Sequence, residues 1–525
     1  MKILVADKIS AQGLKDLEQL NGVTLEVKTG LSEEELIANL AGVEALLVRS
    51  QTKVTENMLN YAQDLRLVAR AGQGCDNIDI EAATKRGVAV MNTPAKNSSA
   101  AAEHAVAMMF ALSRNIPQAH RDLTKGLWER SKYMGVELVG KTLGLVGLGN
   151  VGRQVAWRAL GLKMKVLAYD PFVTSQAMGQ IDVVKATMEE ITARADYISL
   201  HMTLNEDTKH MINEDVFSKM KPGMRLVNCA RGGLIDEAAL LKALEKGIVQ
   251  GAALDVFETE PPTKDNPILN HPKIILTPHL GASTHEAQEE VMKAIIDQID
   301  TFVQTGVVIN GINVPQVTRE LMLSHGSYFN LAEKLGQFMT QLENSPIEEV
   351  SVECFGELIK YDLSPVTTSV LYGLMQKISS DSLNFVSALV KAKEKGIRMN
   401  ESTNETPTGY ASMVRVTGRF KGKTHSISGT VFGENSMRIV QVDEFDIEAE
   451  PQGTMLLMMN HDKPGILGAW SSTLGKYGVN IARVNLARQG DIAMALVNVD
   501  SDVSEQALLE LSSLPSVQSA RRIKL

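Results

Sequence analysis

Two patterns of hydrophobic and polar positions alternate along the first part of the chain. From residue 1 to about 95, short apolar runs such as "KILVADK", "VEALLVRS" and "LRLVARAG" are separated by amphipathic stretches such as "EEELIANL" and "TENMLNYA". Strands of a buried parallel sheet are nearly continuous apolar runs, whereas helices repeat apolar residues three and four positions apart. The alternation therefore predicts βα units around a parallel sheet.

A second series of the same kind follows an apolar helix at about 99–114. Strands are predicted in six runs, "TLGLVGLG", "MKVLAYD", "ADYISLHM", "MRLVNCA", "QGAALDV" and "KIILTPH". Six buried strands separated by helices are typical of a complete doubly wound α/β domain. The amphipathic stretch at 284–306 is long enough to return to the first region. We therefore expect two lobes with a cleft between them, one formed by 1–98 and 284–315 and the other by 99–283.

The pattern changes again after the second lobe. Residues 316–450 offer two amphipathic helices and then glycine-punctuated β-like runs such as "MVRVTGRFKGKTHSISGTVFG", which predict a separate α+β domain. Residues 451–525 have the order β-α-β-β-α-β, which is the ferredoxin-like arrangement. The chain is therefore predicted to contain a two-lobed α/β part followed by two smaller domains.

Composition limits the classes of function. The chain has 525 residues, of which 44% are hydrophobic, and it carries 53 basic and 62 acidic residues for a net charge of −9. This balance argues against nucleic acid or an anionic membrane as the main partner. Three cysteines, Cys75, Cys229 and Cys354, are too few and too scattered for a disulfide framework or a zinc cluster. With no signal-peptide pattern and no apolar run of membrane-spanning length, we expect a cytoplasmic protein. We also expect no metal site.

A glycine motif follows the first strand of the second series. Gly147, Gly149 and Gly152 form G-x-G-x-x-G between an apolar strand and a helix, where a pyrophosphate can lie on the helix N-terminus. Alone, the motif fits an incidental glycine turn equally well. Asp170, however, ends the next strand eighteen residues beyond Gly152, where a carboxylate accepts the ribose hydroxyls and repels a 2′-phosphate. We predict a Rossmann-type domain that binds NAD in preference to NADP.

Three further polar residues follow three successive strands of the same domain. An arginine such as Arg231 can clamp the carboxylate of a 2-hydroxyacid through two hydrogen bonds. A carboxylate such as Glu260 can bind one imidazole nitrogen of His279, so that the other nitrogen exchanges a proton with the 2-hydroxyl. Each residue alone also fits a structural role. Because the carboxyl ends of parallel strands share one edge of a sheet, the three together predict a dehydrogenase site.

The segments "GLGNVGRQVA", "NCARGGLIDEAAL", "GAALDVFETEPP" and "TPHLGAST" resemble the D-isomer-specific 2-hydroxyacid dehydrogenase family over about residues 1–312. The resemblance implies that Arg231, Glu260 and His279 are the catalytic residues. Met202 departs from the small polar residue that relatives often have near the adenosine. The cofactor contacts that the resemblance implies are Gly147, Gly149, Asn150, Val151, Gly152, Asp170, Cys229, Ala230, Arg231, Asp255, His279, Leu280, Gly281 and Ala282.

Two arginines follow consecutive strands of the first lobe. Arg49 is followed by Ser50, and Arg70 precedes the backbone of Gly72. Together with Arg231 they supply more positive charge than a plain hydroxyacid needs, and a phosphate is the natural complement of the excess. The alternative is that both arginines are solvated surface residues.

The segments "LLVRSQTKVT", "LVARAGQGCDNID", "MNTPAKNSSAAAEHA" and "LWERSKYMG" resemble those of the family members that oxidise 3-phosphoglycerate in the first step of serine synthesis. We therefore expect NAD-dependent oxidation of 3-phospho-D-glycerate to 3-phosphohydroxypyruvate. The alternatives are a hydroxypyruvate or glyoxylate reductase and a non-catalytic NAD-sensing binding protein. The resemblance also implies that Trp128 and Lys132 reach the site of a neighbouring subunit. The substrate contacts implied are Arg49, Ser50, Arg70, Gly72, Asn97, Lys132 and Arg231.

The C-terminal part carries a second resemblance. Residues 451–525 resemble an ACT regulatory domain, and 316–450 resemble the intervening domain of the longer family members. Asn460, Asp462 and Asn480 are then candidate contacts for an amino-acid effector, for which L-serine, the end product, is the economical choice. The alternative is a module that only dimerises. We expect a homodimer or homotetramer.

Overall fold

The computed structural model describes residues 1–315, 319–378, 383–406 and 409–525, apart from Ser175, Ala177, Gly179 and Gln180. Contacts within the chain divide it into two compact units, one formed by 1–8, 15–92 and 296–525, the other by 9–14 and 93–295. Among the residues described, the named strands form four sheets, and each helix is too short or too polar to cross a membrane.

The first sheet confirms the βα pattern of residues 1–95. Its strands are β1 (Lys2–Val5), β2 (Thr24–Val27), β3 (Ala45–Val48), β4 (Leu67–Arg70) and β5 (Ala89–Met91), all parallel in the order β2-β1-β3-β4-β5. The helices are α1 (Ala11–Glu18), α2 (Glu33–Ala38), α3 (Glu56–Tyr61) and α4 (Ile80–Lys85). β2 was not predicted, because this edge strand is partly exposed and is not a continuous apolar run.

The second sheet has the doubly wound order β12-β11-β10-β9-β6-β7-β8, entirely parallel. Its strands are β6 (Thr142–Val146), β7 (Lys165–Tyr169), β8 (Val184–Lys185), β9 (Tyr197–Leu200), β10 (Met224–Asn228), β11 (Val249–Leu254) and β12 (Ile274–Leu276). The six predicted strands are confirmed. A seventh, β8, was missed because it is only two exposed residues at the sheet edge.

Helices connect and cover these strands. The apolar helix expected at 99–114 is α5, and the long helix that follows His279 is α11. The helices of this part are α5 (Ser98–Arg114), α6 (Ile116–Thr124), α7 (Asn150–Gly161), α8 (Met188–Arg194), α9 (Glu214–Ser218), α10 (Glu237–Glu245) and α11 (His285–Thr305). Polar N-caps fix several of their starts. Thr187 and Glu190, for example, form a reciprocal capping box at α8.

Strand register makes one edge of the second sheet level. The last residues of β6, β7, β9, β10, β11 and β12 are each paired with the last residue of the neighbouring strand. These residues are Val146, Tyr169, Leu200, Asn228, Leu254 and Leu276. The loops that leave this edge carry the glycine motif and the candidate catalytic residues. A doubly wound sheet binds its ligands at this edge.

The third sheet belongs to the predicted α+β domain. Its strands are β13 (Ile347–Gly356), β14 (Arg398–Asn404), β15 (Ser412–Phe420), β16 (Lys423–Phe432), β17 (Ser436–Val442) and β18 (Phe445–Ala449), in the order β14-β13-β15-β16-β17-β18. Its helices are α12 (Arg319–Met339), α13 (Ser364–Ile378) and α14 (Ala388–Glu394). β13 and β14 were not predicted, and the described residues of this domain contain three α-helices where two were expected.

The fourth sheet confirms the ferredoxin-like arrangement. Its strands are β19 (Thr454–His461), β20 (Ile481–Gln489), β21 (Ile492–Val499) and β22 (Val517–Lys524), in the antiparallel order β20-β21-β19-β22, with helices α15 (Ile466–Lys476) and α16 (Glu505–Ser512). Trp470 and Leu474 of α15 bury one face. Met455, Met494 and Ile523, on the other face, join the hydrophobic core of the third sheet. The last two domains therefore share one core.

Candidate active site

The structure brings Glu260 and His279 into direct contact. The Glu260 Oε2 atom lies 2.7 Å from Nδ1 of His279, and the Phe257 N–H donates to the other carboxylate oxygen at 3.1 Å. About half of the His279 side chain is exposed, at 46%. A carboxylate bound at Nδ1 fixes the orientation of the ring and leaves Nε2 as the nitrogen that can exchange a proton with a ligand.

The backbone around His279 is held by Asp255. His279 has the left-handed φ of 53°, which is uncommon for a residue with a side chain. The Asp255 carbonyl accepts the His279 N–H at 2.9 Å, and its carboxylate accepts the N–H groups of Leu280 at 2.7 Å and Gly281 at 2.8 Å. The His279 turn, residues 277–282, is thereby tied to the end of β11.

Nearby charges act on the imidazole in opposite directions. The hydrogen bond that Nδ1 donates to the Glu260 carboxylate raises the pKa of His279 above its ordinary value. Partial burial opposes the increase, the negative charges of Glu260 and Asp255 add to it, and the positive charge of Arg231 reduces it. The net increase means that Glu260 stabilises the imidazolium, as a residue that accepts a substrate proton requires.

Arg231 follows β10 at the same edge of the sheet. Its side chain donates to the Ala230 carbonyl at 2.7 Å, and the Asn228 amide donates to the Arg231 carbonyl at 2.8 Å. A Cβ on Gly232 would lie 1.9 Å from the Phe257 carbonyl carbon and oxygen, so the glycine permits close approach of two backbones.

The three glycines of the motif have three different surroundings. Gly147 has φ of +98°, and a Cβ there would lie 2.7 Å from the His201 carbonyl oxygen. A Cβ on Gly152 would lie 2.2 Å from the Gly147 carbonyl oxygen, whereas one on Gly149 would have no described atom within 4 Å. The open side at Gly149 adjoins the start of α7, which no side chain caps. These residues fit a dinucleotide pyrophosphate.

Asp170 connects the glycine loop to the end of β7. Its carboxylate accepts the N–H of Leu148 at 2.8 Å and the N–H of Phe172 at 2.9 Å, and the residue is 8% exposed. Each carboxylate oxygen can accept a second hydrogen bond. The geometry therefore leaves acceptor capacity for ribose hydroxyls, as the predicted role requires.

The other predicted cofactor contacts lie along the same edge. Asn150 and Val151 begin α7, Cys229 and Ala230 follow β10, and Ala282 closes the His279 turn. Burial raises the pKa of the Cys229 thiol, which disfavours the thiolate.

Two side chains pack around the glycine loop from the end of β9. Met202 packs at Gly147, with its sulfur 3.0 Å from the position of a Cβ there. The neighbouring His201 is buried, which lowers the pKa of its imidazole to about 4 and keeps it neutral.

Arg49, Arg70 and Gly72 lie at the carboxyl edge of the first sheet. Val48 at the end of β3 pairs in register with Arg70, so the two arginines leave adjacent strands at nearly the same level. A Cβ on Gly72 would lie 1.5 Å from an Arg70 nitrogen, so the guanidinium covers this glycine. Ser50 is exposed beside Arg49. The structure thus brings these four predicted residues together within one unit.

Asp7 holds the segment that carries Arg49. Its buried carboxylate accepts the Arg49 N–H at 2.6 Å and the Thr52 hydroxyl at 2.7 Å, while the Asn77 amide donates to the Arg49 carbonyl at 2.9 Å. No role was predicted for Asp7 from the sequence. An acidic residue directly after an apolar first strand was the available signal.

Asn97, Lys132 and Trp128 were also predicted to lie at a substrate site. Asn97 is the N-cap residue of α5, and its side chain makes no capping bond there. Lys132 binds Asp122 at 2.7 Å and, together with Tyr133, lowers the pKa of Asp122 to about 2. Trp128 is 76% exposed. The roles predicted for Asn97, Lys132 and Trp128 at a substrate site stay predictions.

The three candidate effector residues lie at two ends of the fourth sheet: Asn460 and Asp462 beside the start of β21, and Asn480 beside its end. Asn460 is 4% exposed and donates to the His461 carbonyl at 2.8 Å. Asp462 pairs with Arg488 at 3.3 Å, and the Asn480 amide donates to Asp500. Each of the three side chains is engaged within its own domain, and effector binding stays a prediction.

Solved structures and domain families agree on the class of protein. A D-lactate dehydrogenase from Aquifex aeolicus, complexed with NAD and lactic acid, is 28% identical, with a TM-score of 0.53 over 60% of this chain and all of that one. A glyoxylate reductase from Paecilomyes thermophila is 29% identical, with a TM-score of 0.55 over 59% of this chain and 98% of that one. Residues 106–281 match the NAD binding domain of D-isomer specific 2-hydroxyacid dehydrogenases.

Fold and site thus define an NAD-binding oxidoreductase of the 2-hydroxyacid dehydrogenase class. D-3-phosphoglycerate dehydrogenase of Archaeoglobus fulgidus is 41% identical over 529 residues, covering all of both chains. That of Bacillus subtilis is 38% identical over all of this chain and 99% of its own. Residues 325–443 match the D-3-phosphoglycerate dehydrogenase intervening domain, and 454–516 match the ACT domain. The chain belongs to the D-3-phosphoglycerate dehydrogenase family.

Proposed function

We propose that this chain oxidises the 2-hydroxyl of 3-phospho-D-glycerate to 3-phosphohydroxypyruvate with NAD, the first step of L-serine biosynthesis. The observation that carries the proposal is the pair of Glu260 and His279, 2.7 Å apart on the edge of the sheet that bears the glycine motif. The full-length relatives support the choice of substrate. The test is NADH formation by the purified chain with this substrate.

Three side chains have separate roles in the oxidation. Nε2 of His279 accepts the hydroxyl proton, and Glu260 stabilises the imidazolium that forms. Arg231 holds the substrate carboxylate and the developing carbonyl oxygen. The glycine loop and Asp170 would hold NAD, which would supply the acceptor for the hydride from C2. The raised pKa of His279 supports this division, because Glu260 favours the protonated product of the transfer.

The phosphate of the substrate is assigned to the first sheet. Arg49 and Arg70 supply two guanidinium groups at one sheet edge, and Ser50 and the Gly72 backbone supply neutral donors. Asn97 and, across a subunit interface, Lys132 are further contacts in this proposal. A hydroxypyruvate or glyoxylate reductase has no need of the two additional arginines.

Replacing Asp170 by alanine is expected to narrow the preference for NAD over NADP. The ribose acceptor and its repulsion of a 2′-phosphate disappear together. The measurement is kcat/KM for each cofactor at saturating 3-phosphoglycerate. Asp215→Ala, on an exposed helix of the same unit, is the control and should leave the ratio unchanged. An unchanged ratio in Asp170→Ala would contradict the assignment.

The domain division we propose follows the sheets and the family matches. Residues 1–98 with 284–315 form a substrate-binding domain, and 99–283 form the NAD-binding domain. Residues 316–450 form the intervening domain and 451–525 the ACT domain. Three free thiols are consistent with a reducing, cytoplasmic setting, which we include in the proposal.

A homodimer or homotetramer is the proposed assembly. Large apolar side chains are exposed in one stretch of the NAD-binding domain, and such a patch on a soluble enzyme is typical of a subunit contact. They are Phe110, Ile116, Leu123, Leu127, Trp128, Met134 and Val139. Trp128 and Lys132 lie within this stretch, which supports their proposed reach toward a neighbouring subunit.

We also propose that the ACT domain binds L-serine through Asn460, Asp462 and Asn480. Two such domains placed edge to edge would offer a carboxylate and an amide to an amino acid, and coupling of this kind is typically worth about 1–3 kcal/mol. Calorimetry should show L-serine binding to the wild type and weaker binding to Asn480→Ala. No binding to the wild type, or equal binding to both, would leave the domain a role in assembly alone.

A further inference from the structure

We propose that His104 is a positioning residue for the oxidation, holding the His279 turn through Thr277 and Asp255. His104 lies on α5, and its Nε2 atom is 3.1 Å from the Thr277 hydroxyl and 3.2 Å from Asp255 Oδ1. It lies 175 residues before the acid/base residue in sequence. The inference rests on the proposed function, because it takes His279 as the proton acceptor.

Asp255 is the centre of the arrangement. The residue is fully buried, at 0% exposure. Its Oδ1 atom accepts the Leu280 N–H at 2.7 Å and the Thr277 hydroxyl at 2.6 Å as well as facing His104, and its Oδ2 atom accepts the Gly281 N–H at 2.8 Å. A buried carboxylate is tolerated only when donors of this kind compensate its charge.

The protons in this cluster can be assigned by counting donors. The Thr277 hydroxyl has one hydrogen, and the shorter contact, to Asp255 Oδ1, takes it. Toward His104 the same hydroxyl is therefore an acceptor, so Nε2 of His104 must carry a hydrogen. That hydrogen is shared between Thr277 and Asp255. His104 thus supplies the donor that completes the compensation of the carboxylate.

Loss of this donor would affect His279, the residue that exchanges the proton. The two amides bound by Asp255 follow His279 directly, and His279 itself has a left-handed backbone. Weaker compensation of Asp255 would loosen the turn and misplace the imidazole relative to the substrate. Misplacement by about 1 Å can cost about a hundredfold in rate.

The same cluster also influences the titration of His279. The charged groups that act on its imidazole are Glu260, Asp255 and Arg231, and Asp255 acts to raise the pKa of His279. Cys229 also lies beside His104 and Asp255. Without the His104 donor, the charge of Asp255 is less compensated. We therefore expect the pKa of His279 to increase further.

The experiment compares His104→Leu, which removes the donor, with His104→Gln, whose amide can replace Nε2–H. The matched control is His271→Leu, because His271 precedes β12 whereas the His279 turn follows it. We expect kcat with 3-phosphoglycerate to fall about tenfold to a hundredfold in His104→Leu, with little change in KM, and to recover most of the way in His104→Gln. The acid limb of kcat/KM should move to higher pH in the leucine variant alone.

NMR titration of His279 without substrate or cofactor separates this inference from the proposed function. The imidazole signal is assigned by its loss in His279→Asn. A higher pKa in His104→Leu than in the wild type, restored in His104→Gln, supports the positioning role even if 3-phosphoglycerate is not oxidised. If the wild type is active and kcat falls equally in the leucine and glutamine variants, or falls in neither, His104 has no positioning role.

Thr277→Val tests the same connection from its other end. It removes the hydroxyl that bridges His104 and Asp255, and it keeps the residue's shape. If His104→Leu fails to fold, as judged by thermal unfolding, the valine variant takes its place. A normal kcat and an unshifted His279 titration in Thr277→Val would overturn the inference.

Discussion

His279→Asn is expected to retain NAD binding and to lose at least about two orders of magnitude in turnover of 3-phosphoglycerate. Positioned proton transfer is usually worth about a hundredfold to ten-thousandfold. Asparagine preserves the polarity and approximate size of the site, and it tolerates the left-handed backbone of residue 279. Steady-state kinetics should therefore show the loss in kcat, while NAD binding, followed by calorimetry, changes little.

The pH dependence provides an independent check of the same residue. A proton acceptor must be neutral, so the rate of oxidation should rise as pH passes upward through the pKa of His279. Because Glu260 raises that pKa, the acid limb should lie above the ordinary histidine value of about 6.5. His271→Asn, in the segment that precedes β12, should keep both the rate and the position of the acid limb. Near-normal turnover in His279→Asn would contradict the assignment.

The double variant Arg49→Ala, Arg70→Ala is expected to weaken use of 3-phosphoglycerate by about a hundredfold or more in kcat/KM. A hydrogen bond to a charged group contributes about 1.5–3 kcal/mol, and 1.4 kcal/mol corresponds to a factor of ten. Two guanidinium groups leave adjacent strands at one sheet edge, so both losses should fall on the same phosphate. Kinetics with 3-phosphoglycerate and with D-glycerate, which lacks the phosphate, measure the effect.

The control for Arg49 and Arg70 is Arg66, which lies at the other end of β4 from Arg70. Arg66 immediately precedes β4, whereas Arg70 ends it, so Arg66→Ala removes a similar charge at the opposite edge of the sheet. It should leave the kinetics with both substrates nearly unchanged. Equal losses on 3-phosphoglycerate and D-glycerate in the double variant would show that Arg49 and Arg70 do not recognise the phosphate.

Local patterns were sufficient for much of the fold and for the pairing of Glu260 with His279. Buried parallel strands are apolar runs, and parallel register brings their ends to one edge, so residues that follow successive strands could be expected to meet. The short edge strands β2 and β8 were missed because partly exposed strands have no such run. Their existence depends on pairing with a neighbour that is distant in sequence.

The contacts that His104 makes with Asp255 and Thr277 could not be predicted from the sequence. His104, Asp255 and Thr277 belong to three separate elements, and no spacing rule connects a helix residue with carboxylates and hydroxyls more than 150 positions later. The family resemblance placed Asp255 beside the cofactor. The structure adds the hydrogen bonds of Asp255 to the His279 turn and the contacts of His104, which depend on the packing of α5 against β11 and β12.

We propose above all that this chain is a dehydrogenase selective for a phosphorylated 2-hydroxyacid. The most direct measurement is kcat/KM of the purified wild type with NAD for 3-phosphoglycerate and for D-glycerate, followed by NADH formation. We expect turnover of both, with 3-phosphoglycerate favoured by about a hundredfold or more, because a phosphate site forms charge-assisted hydrogen bonds. Equal values, or no turnover of 3-phosphoglycerate, would contradict it.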